Sequence, residues 1–129
     1  MTETRYPNST HFSPNFSKRE LECKCGCETP AVIYHNLAAL ALELEKLRAA
    51  VGHPISVVSG FRCAKHNLAV GGKSQSQHLS GKAADLVCKA MSPAEVKKKA
   101  EAHPPFRNGG IGLYPTFTHV DLGPGPRRW

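Results

Sequence analysis

Between Thr29 and Gly52 the chain carries a single long helical pattern, and it limits the fold more than any other stretch. Ile33, Leu37, Leu40, Leu44 and Leu47 advance in alternating steps of four and three, which sets all five on one face of an α-helix. Thr29 stands where an N-cap belongs, Pro30 at the first helical position, and Gly52 at a natural stop. His35, Asn36, Glu43, Glu45, Lys46 and Arg48 interrupt the apolar residues, so this stretch cannot span a bilayer. It is a core element without chemistry of its own.

The other elements are short. Residues 1–15 hold Pro7, Asn8, Ser13, Pro14 and Asn15 and read as an extended lead-in, followed by a single domain over 16–129. Ser17-Lys18-Arg19-Glu20 and Ser92-Pro93-Ala94-Glu95 are capping boxes, each opening a helix. The second helix must end before Pro104-Pro105. A short helix is expected over Ala64 to Val70, and a polar loop from Lys73 to Ser80. Strands are expected at Ile55 to Val58, Ala83 to Cys88, Ile111 to Tyr114 and Phe117 to Leu122. Helices and strands mix without a regular βαβ period, which predicts an α+β fold with a small, mainly antiparallel sheet and flanking helices.

A chain of 129 residues can bury one real core, and 40% hydrophobic with 21% charged residues is ordinary for a globular domain. The formal charge of +7 favours polyanionic partners such as an anionic cell wall, or simply solubility. Base-reading and stacking signatures are missing, so nucleic acid is not an expected partner. The N-terminus shows no apolar signal-peptide core. The expectation is therefore cytoplasmic synthesis without membrane insertion, with any extracellular action following lysis or non-classical release.

Five cysteines stand at 23, 25, 27, 63 and 88, an odd count that excludes complete pairing within one chain. Cys23-Lys24-Cys25-Gly26-Cys27 is too tight for the usual C-x2-C zinc knuckle. A thiol cluster, or one disulfide from it to Cys63, is the expectation. A second metal site completed by Cys63 or a histidine is the alternative.

Chemistry concentrates in His78, Asp85 and His119. If Phe117 to Leu122 is extended, His119 and Asp121 point to one face and Thr118, Val120 and Leu122 to the other. Ala83 and Asp85 likewise share a face, with the small alanine leaving room beside the carboxylate. Two neighbouring strands can then offer Asp85 and His119 to one point, with His78 entering from its loop. Neutral imidazole and ionised carboxylate are zinc ligands, and three of them leave one position open, as in catalytic sites. The same residues also fit a plain His–Asp hydrogen bond.

Ser76-x-His78-x-x-Gly81-x-Ala83-x-Asp85, His119-Val120-Asp121 and Ser59-Gly60-Phe61-Arg62 together resemble the M15 family of zinc peptidases. That group comprises D-alanyl-D-alanine carboxypeptidases and peptidoglycan endopeptidases sharing the hedgehog/DD-peptidase-type fold. The likeness runs from about Ser17 to Trp129 and includes Gly109-Gly110-Ile111-Gly112-Leu113-Tyr114-Pro115 and the Arg128-Trp129 ending. The resemblance implies that His78, Asp85 and His119 bind one catalytic zinc, whose open position holds a water with its pKa lowered to about 7. It implies that Arg62 grips the substrate or its polarised carbonyl, a role suited to a permanently charged fork of donors. Ser76 is read either as a donor to the substrate backbone or as a loop cap.

One position departs from the family pattern. Many relatives carry Glu or Asp three residues before the second zinc histidine, where this chain has Thr116, and threonine cannot act as the general base. Asp121 is the substitute base, or else a carboxylate that orients a ligand histidine. The implied function is a monomeric zinc peptidase cutting peptidoglycan stem peptides or cross-links, as in a phage or prophage endolysin. The alternative is a zinc-containing binding module of the same fold without catalysis. A third reading makes Cys23 to Cys27 a zinc-stabilised nucleic-acid contact and needs a second metal per chain.

Overall fold

The computed structural model describes residues 5–129, so the first four residues of the expected lead-in lie outside it. The rest of that lead-in is not merely extended. Strand β1 (His11–Ser13) pairs antiparallel with β2 (Phe16–Ser17), and Phe12 and Phe16 are buried in the main core. Phe12, within the segment read as an extended lead-in, and Phe16, at the start of the expected domain, make this hairpin a core element.

Helix α1 (Lys18–Leu21) opens on Ser17 with both halves of the capping box formed. Helix α2 (Ala31–Val51) follows the cysteine loop and ends at Gly52 in the left-handed conformation. Its start differs from the sequence expectation: Pro30 occupies the N-cap position without a side-chain cap bond, and the helix begins at Ala31. The Thr29 hydroxyl is engaged elsewhere, donating to Glu22 Oε2 at 2.9 Å and so closing the cysteine loop. Leu37, Leu40, Leu44 and Leu47 are fully buried along the expected stripe, Ala41 and Val51 join them, and Ile33 is half-buried at the edge.

Strand β3 (Ser56–Ser59) leads into helix α3 (Ala64–Ala69). The expected polar loop contains a 3-10 turn, Gln77–Ser80, that Ser76 caps. Strand β4 (Ala83–Val87), helix α4 (Pro93–Glu101), strand β5 (Gly110–Leu113) and strand β6 (Thr118–Asp121) follow the sequence reading. The proline pair does end α4, but it also starts a one-turn helix α5 (Pro104–Arg107), because proline suits a first turn where its missing N–H is not needed. Arg127–Arg128 form an unforeseen strand, β7. The sheet order is β3-β4-β6-β5-β7, antiparallel throughout except for the parallel β5–β7 pair. The fold is thus α+β with a mainly antiparallel sheet.

The two faces of this sheet divide the labour. Ala84, Leu86, Ile111 and Val120 belong to the core, which α4 closes by packing on β5 and β6. Thr118 joins that side by donating its hydroxyl to the Pro93 carbonyl at 2.8 Å. Ala83, Asp85, His119 and Asp121 occupy the alternate positions of the paired strands β4 and β6 and so face away from α4.

Leu44 sits at the centre of the α2 stripe with no exposed surface. Truncation by Leu44→Ala removes buried methyl groups and leaves a cavity that α4 and the hairpin cannot fill. Denaturant unfolding is expected to show a loss of about 2–5 kcal/mol, while substitution of the exposed Leu42 on the opposite side stays within about 0.5 kcal/mol.

Candidate metal centre

Register brings the three sequence-predicted ligands together. In the β4–β6 ladder Asp85 stands directly opposite His119, and Ala83 opposite Asp121. His78 arrives from the 3-10 turn between α3 and β4, held by Ser76 Oγ, which accepts the His78 backbone N–H at 3.2 Å. That is the loop-capping role of Ser76. All three side chains are buried, with relative exposures of 3% for His78, 5% for Asp85 and 6% for His119. The imidazole rings meet edge-on at 5.1 Å between centroids.

The hydrogen bonds around the rings decide which nitrogens face one another. His78 Nδ1 lies 2.7 Å from the Gly60 carbonyl, which can only accept, so the proton is on Nδ1 and Nε2 carries the lone pair. Nε2 points at Asp85 Oδ1 across 3.2 Å. His119 donates through Nε2 to Asp121 Oδ2 at 2.7 Å, which leaves Nδ1 facing the same Asp85 Oδ1 at 3.1 Å. Two imidazole lone pairs and one carboxylate oxygen thus converge with no hydrogen between them when both rings are neutral. Three acceptors aimed at one point fit a cation, and these donor types suit a divalent metal ion.

Both carboxylates are held ionised. Burial works to raise Asp85, but when the two rings are protonated, hydrogen bonds and charges from His119 and His78 outweigh it and bring the carboxyl down to about 2. Asp121 is also pulled below the usual range: burial opposes this, and bonds from His119 and the Gly110 and Gly123 N–H groups overcome it. Asp121 Oδ1 accepts from Gly110 N and Gly123 N, each at 2.9 Å, and from the Arg127 guanidinium. With Oδ2 bound to His119, this carboxylate is fully engaged. Its geometry is that of a side chain that orients an imidazole.

Arg62 braces Asp85. Its Nη2 lies 3.3 Å from Asp85 Oδ2, while Nε donates to Ser59 Oγ at 3.1 Å and Nη1 to Asn67 Oδ1 at 3.3 Å. These bonds use three of the guanidinium's five N–H groups, so two remain for a ligand in the cleft.

The centre opens into a cleft of about 460 Å³. Lys73, Tyr114, Phe117 and Trp129 border it beside the residues above, and sequence reasoning assigned none of these four a place in the site. Tyr114 and Phe117 stack at 4.4 Å, and Trp129 donates its indole N–H to the Tyr114 hydroxyl at 2.8 Å while lying 4.9 Å from the His119 ring. Gly112, the other register partner of His119, makes room for the indole: a Cβ there would come within 2.5 Å of Trp129 Nε1. The parallel pairing of β7 carries Trp129 to this place, and a two-residue strand leaves no periodic signal in sequence. Thr116, by contrast, is exposed and borders a separate shallow groove with Met91 and Pro93.

Comparison with known proteins agrees with this geometry. The model of the family described as Peptidase M15 matches residues 14–121, which takes in α1, α2, the strands β2 to β6, the three converging side chains and Asp121. The chain is also 40% identical to the probable peptidoglycan L,D-endopeptidase MepK of Haemophilus influenzae over 58% of its own length, and the match spans 42% of that relative. By the extent of the family match and the site that it encloses, this chain belongs to the Peptidase M15 family.

Proposed function

We propose that this chain is a zinc peptidase that hydrolyses peptide bonds in peptidoglycan stem peptides or cross-links. The observation that carries the reading is the convergence of His78 Nε2 and His119 Nδ1 on Asp85 Oδ1 at 3.2 and 3.1 Å, at the floor of an open cleft. His78, Asp85 and His119 would hold the zinc. When bound there, zinc supplies a Lewis acid for the scissile carbonyl and lowers the pKa of water to about 7. The peptidoglycan substrate is supported by the relative's name and by the positive charge of the chain, which suits an anionic wall.

The protein's own residues divide the remaining tasks. Asp121 and the Gly60 carbonyl fix the tautomers of His119 and His78, so that both lone pairs stay aimed at the metal position. The two unengaged N–H groups of Arg62 are placed to hold a substrate carbonyl and the negative charge that develops on it. Ser76 Oγ caps the 3-10 turn and keeps its own hydroxyl hydrogen for the peptide backbone. The Tyr114–Phe117–Trp129 wall excludes water from one side of the cleft, and Lys73, with its ammonium 5.7 Å from the indole, adds a cation for peptide carboxylates.

A second reading keeps the metal and drops the chemistry. Among the described residues, the carboxylates lining the cleft are Asp85 and Asp121, and both are engaged. This observation favours a zinc-containing binding module. Mass spectrometry of zinc-loaded protein incubated with peptidoglycan separates the two. Soluble peptide fragments with a defined new terminus are expected, and the terminus names the bond as internal or C-terminal. Intact peptidoglycan with zinc fully loaded would instead establish the binding module.

His78→Ala is expected to remove one equivalent of zinc and abolish fragment release. Asp121→Asn should retain the fold and lower zinc affinity or turnover by about 10–100-fold, measured by competition with a chromogenic chelator and by fragment yield.

Stability should respond to pH with opposite sign in the two metal states. Burial lowers the His119 pKa, but hydrogen bonds and charges from Asp121 and Asp85 outweigh it and raise it above 6.5. A raised folded value stabilises the metal-free chain fully below the unfolded pKa of about 6.5, and that contribution is lost as pH rises through the folded value. Zinc must displace the same proton, so its stabilisation grows with pH. Between about pH 6 and pH 8 the thermal midpoint is expected to fall for metal-free protein and to rise for zinc-loaded protein. Parallel slopes in the two melting series would count against a zinc ligand at His119.

A further inference from the structure

Four of the five cysteines gather at a second place. The sulfurs of Cys23, Cys25, Cys27 and Cys63 all lie within 4.8 Å of one another, while Cys88 stays apart in the core. Cys23 and Cys25 lie 3.3 Å apart and Cys25 and Cys63 3.6 Å apart, and all the cysteines are free thiols. The disulfide allowed by the sequence is therefore not formed, since it would hold two sulfurs about 2.05 Å apart. Four sulfurs around zinc at about 2.3 Å form a tetrahedron with edges of about 3.8 Å, which is the scale of this cluster.

The local backbone explains how such tight spacing reaches one point. Gly26, at φ +82, turns the loop so that its N–H bonds to the Cys23 carbonyl at 3.1 Å and the flanking thiols fold back together. The fourth thiol comes from the end of the β3–α3 connection. There the Cys63 N–H donates to Cys23 Sγ and the His66 N–H to Cys63 Sγ, each at 3.4 Å. Backbone N–H groups aimed at sulfur stabilise thiolates, and a closed set of four thiolates has no open position for substrate.

We propose that Cys23, Cys25, Cys27 and Cys63 bind a structural zinc ion, distinct from the His78–Asp85–His119 centre. Its place in the fold gives it a task. It fastens the loop after α1 to the residue that follows Arg62. Beside it the Phe61 N–H bonds to the Leu21 carbonyl at 2.8 Å, and the Gly60 carbonyl holds His78. The clasp thus ties the N-terminal hairpin and α1 to the strand end that presents two groups of the candidate site. Soft thiolates select zinc over harder cations, and the odd cysteine count is accounted for: four ligands and one core residue.

The test uses the full chain purified under reducing conditions, with elemental analysis and cobalt substitution. Two zinc ions per chain are expected in the wild type and one in His78→Ala/His119→Ala. The cobalt form of that double variant should show the intense near-ultraviolet thiolate-to-metal charge-transfer absorption and the strong visible bands of a tetrahedral tetrathiolate. Cys25→Ser, at an exposed position, should weaken the charge-transfer band when added to that double variant; alone in the otherwise wild-type chain it should lower the thermal midpoint and leave one zinc, that of the histidine centre. The wild-type cobalt spectrum reads the same sulfur band, so the proposal stays testable even where a variant fails to fold. A wild-type chain with no sulfur-to-cobalt band, or an intact mass two hydrogens short from a disulfide among these four, overturns it. Because the sulfur signature is read without any substrate, its outcome is independent of whether the chain cuts peptidoglycan.

Discussion

The β4–β6 pairing sets Asp85 opposite His119, and the rest of the molecule can be understood as holding that register. A shift by one residue would turn His119 and Asp121 into the core and Val120 out of it, because side chains alternate with a period of two. The core face prevents this: Ala84, Leu86, Ile111 and Val120 are buried beneath α4 and the α2 stripe, and none of these positions accepts a charge. Hydrophobic burial on one face thereby sets the ligand geometry on the other.

Around that register, the polar groups form a closed chain of dependence. Arg127 and two backbone N–H groups bind Asp121 Oδ1, Asp121 Oδ2 accepts the hydrogen bond from His119 Nε2–H, and His119 Nδ1 is left for Asp85. On the other side the Gly60 carbonyl accepts the hydrogen bond from His78 Nδ1–H, and Arg62 holds the second oxygen of Asp85. Each donor satisfies an acceptor that would otherwise compete for the central position. The site is preorganised because its lone pairs have nowhere else to point. The Arg127-Arg128 pair is spent within the fold: Arg127 on Asp121, Arg128 on Glu101 and the carbonyls of Gly109 and Arg107.

Much of this was legible beforehand. The α2 stripe, both capping boxes, the strands bearing the ligands and the facing of His119 with Asp121 follow from local periodicity and short-range hydrogen bonding, which depend only on neighbours in the chain. Expectations slipped where a residue's partner lay far away. Thr29 is drawn from its cap position by Glu22, Phe12 turns part of the expected extended lead-in into a core hairpin, and Trp129 reaches the cleft through a parallel strand of two residues.

What the sequence determined by itself is most of the longer elements, the α+β class and the choice of His78, Asp85 and His119 as the residues that converge, since these rest on residue type and spacing. What only the tertiary structure decided is the protonation and orientation of the two imidazoles, the full engagement of Asp121 and the gathering of Cys63 with the Cys23–Cys27 loop. Each depends on groups brought together across the chain, from Gly60 to His78, from Arg127 to Asp121 and from Cys25 to Cys63. Local periodicity carries no record of such meetings. They arise from the way the sheet, the helices and the loops pack on a single core.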